Sequence, residues 1–265
     1  MTKAWEGYVP IPVKERTTKP RTSGYTMVLE KGLGLNATKD LMNTAADYID
    51  SVKFTFGTAA FLDDRVLRQK IEIIRSAGVD VYPGGTLLEA AVAQQVYDRY
   101  LIRCKQLGFS VIEVSDGTID MPIEVRKEVI TQALDKGFKV ISEVGKKDPK
   151  DDPPLAVKQE LIKFDLSLGV FKVIVEAREA SKGVGIYDAS GAVKESEVDA
   201  IVAGVDNVND LIWEAALKNQ QLFLIKKFGP NVNIGNVPPE DILALEALRC
   251  GLRGDTLKAA IEKLK

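Results

Sequence analysis

Val140-Ile141-Ser142-Glu143-Val144-Gly145-Lys146-Lys147 decides how this chain is read: a short apolar run ends in an ionisable residue, a glycine and further charge. The same design recurs at Met27-Val28-Leu29-Glu30-Lys31-Gly32, Val111-Ile112-Glu113-Val114-Ser115-Asp116-Gly117, Val173-Ile174-Val175-Glu176-Ala177-Arg178 and Leu211-Ile212-Trp213-Glu214. Short runs that are apolar at successive positions suit parallel strands covered by helices on both faces. Each therefore reads as a buried parallel strand with a charged residue at its C-terminal end. A carboxylate buried alone costs several kcal/mol or takes up a proton. Glutamates recurring at one height on several strands are better explained by a cation that they bind.

Outward from these runs, strand, turn and helix alternate. The predicted pairs are Met27–Lys31 with a helix over Asn36–Ile49, Val52–Phe56 with Asp63–Ala77, and Val79–Pro83 with one long helix over Leu87–Leu107. Val111–Ser115 precedes Pro122–Lys136, Lys139–Val144 precedes Ala156–Leu168, and Lys172–Ala177 precedes Val193–Val202. Leu211–Glu214 with Asn219–Phe228 and Val232–Asn236 with Pro239–Leu248 complete the series. About eight βα units close a parallel barrel, with an open doubly wound sheet as the alternative. The expected fold is a single-domain α/β protein, a (β/α)8 TIM barrel over residues 25–265. An extended arm over residues 1–24, containing Pro10, Pro12 and Pro20, precedes it. Active sites of such barrels lie on the loops after the strands, where the charged residues collect.

Composition narrows the chemistry. The 265 residues are 45% hydrophobic, enough for one large core, and the formal net charge is −2. With lysines and arginines interspersed among acids there is no basic field for a nucleic acid. The chain shows no apolar h-region or membrane-length run, so neither a signal peptide nor a membrane partner is expected. Two cysteines, Cys104 and Cys250, sit in amphipathic helical patterns and fit a reducing cytoplasm. Small anionic substrates are the expected partners, and a homo-oligomer the expected assembly. The chain contains no histidine, which excludes Ser-His-Asp and Cys-His nucleophile systems and imidazole acid–base catalysis. Chemistry falls to Lys, Arg, Asp, Glu, Tyr or a hard metal ion.

Glu113, Glu143, Glu176 and Glu214 end four successive predicted strands, and Glu30 ends the first. Such carboxylates, with waters and a substrate oxygen, suit an octahedral ion such as Mg2+. Lys53, inside Val52-Lys53-Phe54-Thr55-Phe56, either neutralises Glu30 or aims a positive charge at an anionic substrate. Alternation from Glu143 puts Lys147 on its face and Lys146 on the other, so Lys147 is the better acid–base candidate. Arg178 lies two residues beyond Glu176 and offers forked donors for phosphate or sulfonate oxygens. Gly235-Asn236, leading through Pro238-Pro239 into the last predicted helix, occupies the preferred phosphate position of a barrel.

Several segments together resemble the phosphosulfolactate synthase family. They are Lys31-Gly32-Leu33-Gly34, Tyr82-Pro83-Gly84-Gly85-Thr86-Leu87, Ile112 to Thr118, Ser142 to Lys147, Glu176-Ala177-Arg178-Glu179, Val232 to Asn236 and Leu248 to Thr256. The resemblance runs from about Pro20 to the C-terminus. It implies a (β/α)8 barrel catalysing Mg2+-dependent addition of sulfite to phosphoenolpyruvate, giving 2-phospho-3-sulfolactate. That reaction begins coenzyme M synthesis in methanogens and leads to sulfolactate in some bacteria. By analogy with enolase-type sites, Glu113, Glu143 and Glu176 are the expected metal ligands and Lys147 the acid. Lys31, Lys53, Arg178 and Gly235-Asn236 are left to hold phosphate and sulfite.

The sequence departs from the family pattern at Glu30, Phe54-Thr55-Phe56-Gly57, Ala180-Ser181 and Glu214-Ala215-Ala216, all around the barrel mouth. The family also includes heat-stress-associated proteins. The alternatives are therefore a non-catalytic stress-associated barrel, or a phosphoenolpyruvate enzyme using another nucleophile.

Overall fold

Alternation along the strands settles which side chains face the barrel axis. The computed structural model describes residues 3–178 and 181–264. Its strands are β1 (Thr26–Glu30), β2 (Ser51–Phe54), β3 (Asp80–Pro83), β4 (Val111–Val114), β5 (Lys139–Val144), β6 (Lys172–Val175), β7 (Leu211–Glu214) and β8 (Ile234–Val237). All paired strands are parallel, β1 pairs with both β2 and β8, and the sheet order is β3-β2-β1-β8-β7-β6-β5-β4. The remaining seam, between β3 and β4, is bridged by Ser110, whose N–H donates to the Val81 carbonyl at 3.1 Å. This is a nearly closed (β/α)8 barrel.

Tyr25, Met27, Tyr82, Val111, Ile141, Ile174 and Ile212 fill the interior, while Val28, Val52, Phe54, Ile112, Val140, Val173 and Trp213 belong to the layer under the helices. Gly235 packs closely into this interior: an added Cβ would lie 2.7 Å from Met27 Cε and 3.0 Å from Ile212 Cγ2, so these side chains would have to shift to admit one.

The helices are α1 (Leu35–Ala45), α2 (Asp64–Ser76), α3 (Gly85–Ala93), α4 (Tyr97–Leu107), α5 (Ile123–Asp135), α6 (Leu155–Ser167), α7 (Glu195–Val202), α8 (Lys218–Phe228), α9 (Ile242–Arg249) and α10 (Gly254–Glu262). The single helix expected over Leu87–Leu107 is two. Gln95 takes φ 58° and the Val96 N–H turns back to the Ala91 carbonyl at 2.8 Å, which ends α3 and redirects the chain into α4. Helix α10 follows the last of the expected βα units and has no counterpart among them. Expected Pro239–Leu248 begins instead as a 3-10 turn, Pro239–Asp241, before α9.

The N-terminal arm crosses the end of the barrel opposite the charged loops. Arg16 meets Glu246 at 2.9 Å, Arg21 meets Asp50 at 2.9 Å, and Lys19 Nζ donates to the carbonyls of Ala46 and Ile49. Cys104 and Cys250 are free and buried. Among the described residues, no helix is long and apolar enough to cross a membrane.

Candidate active site

Lys53 is the centre of the site. Its neighbours Val52 and Phe54 point under the helices, so Lys53 points inward, and its Nζ lies 3.0 Å from Glu113 Oε2, 3.3 Å from Glu143 Oε2 and 3.5 Å from Glu214 Oε1. Burial pulls this lysine down, but Glu113, Glu143 and Glu214 outweigh it and hold the ammonium well above its ordinary range. Lys53 therefore neutralises the inner glutamates and not Glu30.

Glu30 is outside the ring. Because Met27 and Leu29 point inward, Glu30 points outward, where Lys70 of α2 meets it at 3.1 Å. Its Oε1 accepts the N–H groups of Gly32, at 2.7 Å, and Leu33.

The inner glutamates differ sharply in charge state. Burial opposes ionisation of Glu143, but Lys53 and then Lys147 overcome it and hold this carboxyl down at about 2. Burial pushes Glu214 up to about 7 against the pull of Lys53, with repulsion from Glu143 adding to the rise. Glu176 is pushed well above the usual carboxylate range by burial and by Glu143 and Glu214. Burial also raises Glu113, which Lys53 and the Gly85 N–H, donating at 2.7 Å to Oε1, partly restrain. Buried carboxylates outnumber the buried ammonium, so the excess must be met by protons or by a cation.

Among the described residues, Glu143, Glu176 and Glu214 have carboxylate oxygens within 4.8 Å of one another. Glu176 Oε2 is buried without a hydrogen-bond partner. An all-carboxylate oxygen set with an orphaned buried oxygen fits a hard divalent ion. Of the expected ligands, Glu143 and Glu176 are thus brought together, while Glu113 lies against Lys53 and Gly85 and its place beside them is taken by Glu214. Strand spacing could identify the glutamates but not which carboxyls converge.

A cavity of about 430 Å3 opens above the cluster, lined by Lys53, Glu113, Glu143, Lys147, Glu176, Arg178, Glu214 and Asn236. Lys147 points into it, with its Nζ 2.9 Å from Thr86 Oγ1. Lys146 points away, and its Nζ donates to the carbonyls of Asp116 and Ile119 at 2.7 Å each. Burial would lower Lys147, but Glu143, Glu176 and Glu89 outweigh it and keep the amine protonated above its ordinary range. Arg178 sits at the rim in a left-handed turn, φ 62°, with its N–H on Glu176 Oε1 at 2.6 Å. The following departure at Ala180, with Glu179, lies outside the described residues.

Two expected substrate contacts fall elsewhere. Gly235 is packed below the cavity against Met27, whereas Asn236 lines it in a left-handed conformation, φ 55°, its Nδ2 donating to the Arg178 carbonyl at 3.2 Å. Lys31 lies outside the main cavity, in an adjoining one of about 430 Å3, with its Nζ 5.9 Å from the Phe56 ring centre. Residues not singled out from sequence are Ser115, whose hydroxyl is 3.1 Å from Glu143 Oε1, and Arg126, which grips the Glu143 carbonyl at 3.0 Å and Asp165 at 2.6 Å.

Fold and site together define a (β/α)8-barrel enzyme whose acidic, lysine-centred active site opens at the C-terminal ends of the strands. Similarity to known proteins makes this specific. The family described as (2R)-phospho-3-sulfolactate synthase (ComA) matches residues 14–255. Phosphosulfolactate synthase of Methanocaldococcus jannaschii is 46% identical over 88% of this chain and 93% of its own. The enzyme of the same name from Methanothermobacter thermautotrophicus is 43% identical over 91% and 94%. The Arabidopsis thaliana protein HEAT-STRESS-ASSOCIATED 32 is 24% identical over 89% of each chain. Among solved structures, 3-hexulose-6-phosphate synthase from Salmonella typhimurium superposes with a TM-score of 0.55 at 13% identity, covering 86% of this chain and 100% of that one. That likeness shows the barrel alone. The chain belongs to the phosphosulfolactate synthase family and is a lyase-type enzyme acting on small molecules.

Proposed function

We propose that the protein adds sulfite to phosphoenolpyruvate in a Mg2+-dependent reaction giving 2-phospho-3-sulfolactate. The observation that carries this reading is the juxtaposition of protonated Lys147 with the oxygen set Glu143, Glu176 and Glu214 in one cavity. When bound, Mg2+ would supply a fixed positive charge to offset the substrate carboxylate and the negative charge that builds up on it.

The chain's own residues do the rest. Sulfite is already a nucleophile near neutral pH, so the site needs an acid more than a base. As the sulfur bonds to the methylene carbon, the double-bond electrons move toward the carboxylate, and the phosphate-bearing carbon then takes a proton from the Lys147 ammonium. Water returns that proton to the amine. Lys53 holds Glu113, Glu143 and Glu214 in place from below. Arg178, at the rim, is suited to an oxyanion of phosphate or sulfite through its forked donors. Two reduced cysteines support a cytoplasmic site of action.

The test is to incubate the protein with phosphoenolpyruvate, sulfite and Mg2+, following products by phosphorus NMR and mass spectrometry. A phosphorylated sulfonate supports the reading. Phosphoenolpyruvate left intact under these conditions overturns it.

A further inference from the structure

Behind Lys147 stands another buried carboxylate, Glu89, on the inner face of α3 and 1% exposed. The chemistry above does not use it. Its Oε1 accepts the Ser115 hydroxyl at 2.9 Å and lies 3.7 Å from Lys147 Nζ. Its Oε2 accepts the N–H groups of Thr118 at 2.8 Å and Ile119 at 3.1 Å. These bonds clamp the turn after β4 onto α3.

Lys147 depends on the same turn. Its backbone N–H donates to the Gly117 carbonyl at 2.9 Å. A Cβ added at Gly117 would lie 3.3 Å from Lys147 Cε and 3.4 Å from Glu176 Oε2, so the turn packs directly on the lysine stem. Thr86, the other partner of Lys147 Nζ, is in the first turn of the helix that carries Glu89. Ser115 extends the linkage to Glu143 Oε1 at 3.1 Å, and its single hydroxyl proton serves one carboxylate at a time. A lysine stem of four rotatable bonds, 27% exposed at its side chain, would otherwise be free to swing into solvent.

We propose that Glu89 is a positioning residue: with Thr86 it makes α3 a two-point cradle that holds the Lys147 ammonium inside the cavity and fixes the β4 turn against it. The consequence for turnover rests on Lys147 being the proton donor. The cradle itself does not.

Glu89→Gln tests this. It keeps the volume and, through its amide oxygen, can keep the bonds from Thr118 and Ile119, but it loses the charge facing Lys147. Two readouts are taken: turnover with the Michaelis constant for phosphoenolpyruvate, and acetylation of Lys147 relative to remote Lys227 in ligand-free protein, followed by mass spectrometry. Turnover should fall about 10- to 100-fold, with the Michaelis constant changed less than about threefold. The Lys147 to Lys227 labelling ratio should rise severalfold. Unchanged turnover in an active parent overturns the proposal. So does an unchanged labelling ratio, which would leave Glu89 a structural buried acid. If the parent itself forms no sulfonate, the functional reading has failed separately, and the labelling ratio alone decides the cradle. If Glu89→Gln is insoluble, Glu89→Asp, which keeps the charge but withdraws the oxygens by one carbon–carbon bond, is read in the same two ways.

Discussion

Replacing Lys147 by Met, and separately Lys146 by Met, should divide chemistry from stability between two adjacent residues. Lys147 makes one good hydrogen bond, 2.9 Å to Thr86, and a long ion contact, 3.7 Å to Glu89, with 27% of its side chain exposed. Losing these is worth about 1 kcal/mol of stability. Losing the proton donor should reduce turnover by about a hundredfold or more, equivalent to ~2.7 kcal/mol of transition-state stabilisation. Lys146 is the reverse. Its Nζ satisfies two carbonyls at 2.7 Å and approaches Asp116 Oδ2 at 3.3 Å, so Lys146→Met leaves part-buried acceptors without their donor. That costs about 1–2 kcal/mol, a fall in Tm of about 2–7 °C for a chain of this size, with turnover reduced severalfold at most. Thermal unfolding and sulfonate formation are measured on both variants. If Lys146→Met abolishes turnover while Lys147→Met retains it, the assignment of the acid is wrong, and so is the inward face from which it was argued.

Glu176→Gln should raise the Tm of EDTA-treated protein, because it replaces a carboxyl whose ionisation is opposed by burial and then by Glu143 and Glu214, and should abolish the further stabilisation by Mg2+; a Mg2+ response equal to the parent's would remove Glu176 from the ligand set. The raised Glu214 carboxyl binds its proton more tightly folded than unfolded, so its contribution is complete below its ordinary value of 4.5 and is lost as pH rises to about 7. Glu143 has the opposite sign, its contribution being present above 4.5 and lost as pH falls toward 2. Metal-free protein should therefore lose stability between pH 4.5 and 7 while its apparent Mg2+ affinity rises, and Glu214→Gln should flatten both trends; identical pH curves for parent and variant would refute this. Phe56 lines the cavity at φ 57°, a conformation that disfavours a bulky side chain by about 1 kcal/mol. Phe56→Gly should thus raise Tm by a few degrees while increasing the Michaelis constant for phosphoenolpyruvate, and a fall in Tm would show that the ring's packing outweighs the strain.

Much of the barrel was legible because parallel strands covered on both faces must be apolar at successive positions, and helices must punctuate them. Alternation counted from Glu143 also separated Lys147 from Lys146, although both lie just beyond β5, past the left-handed Gly145 at φ 113°. The same fully apolar character hid the phase of each strand. A run such as Met27 to Glu30 has no polar face to mark which side is inward, so Glu30 reads as a member of the ring, whereas Met27 packs in the interior, Leu29 lines the cavity, and Glu30 is turned toward Lys70.

What the tertiary structure alone decided is which charges meet. Register between neighbouring strands sets the heights at which side chains converge: Glu143 lies level with Ile174, two residues before Glu176. The curvature of the adjacent strands β5, β6 and β7 then brings Glu214 to Glu143 and Glu176, and the closing of the sheet at the β3–β4 seam brings Lys53 to Glu113. Glu89 left no trace in the sequence because a glutamate in a helix ordinarily reads as a solvated surface residue. It is buried because α3 starts at the barrel mouth and lays its first turns along the β4 turn, a path that depends on the break at Gln95 and on the barrel's closure rather than on any local pattern.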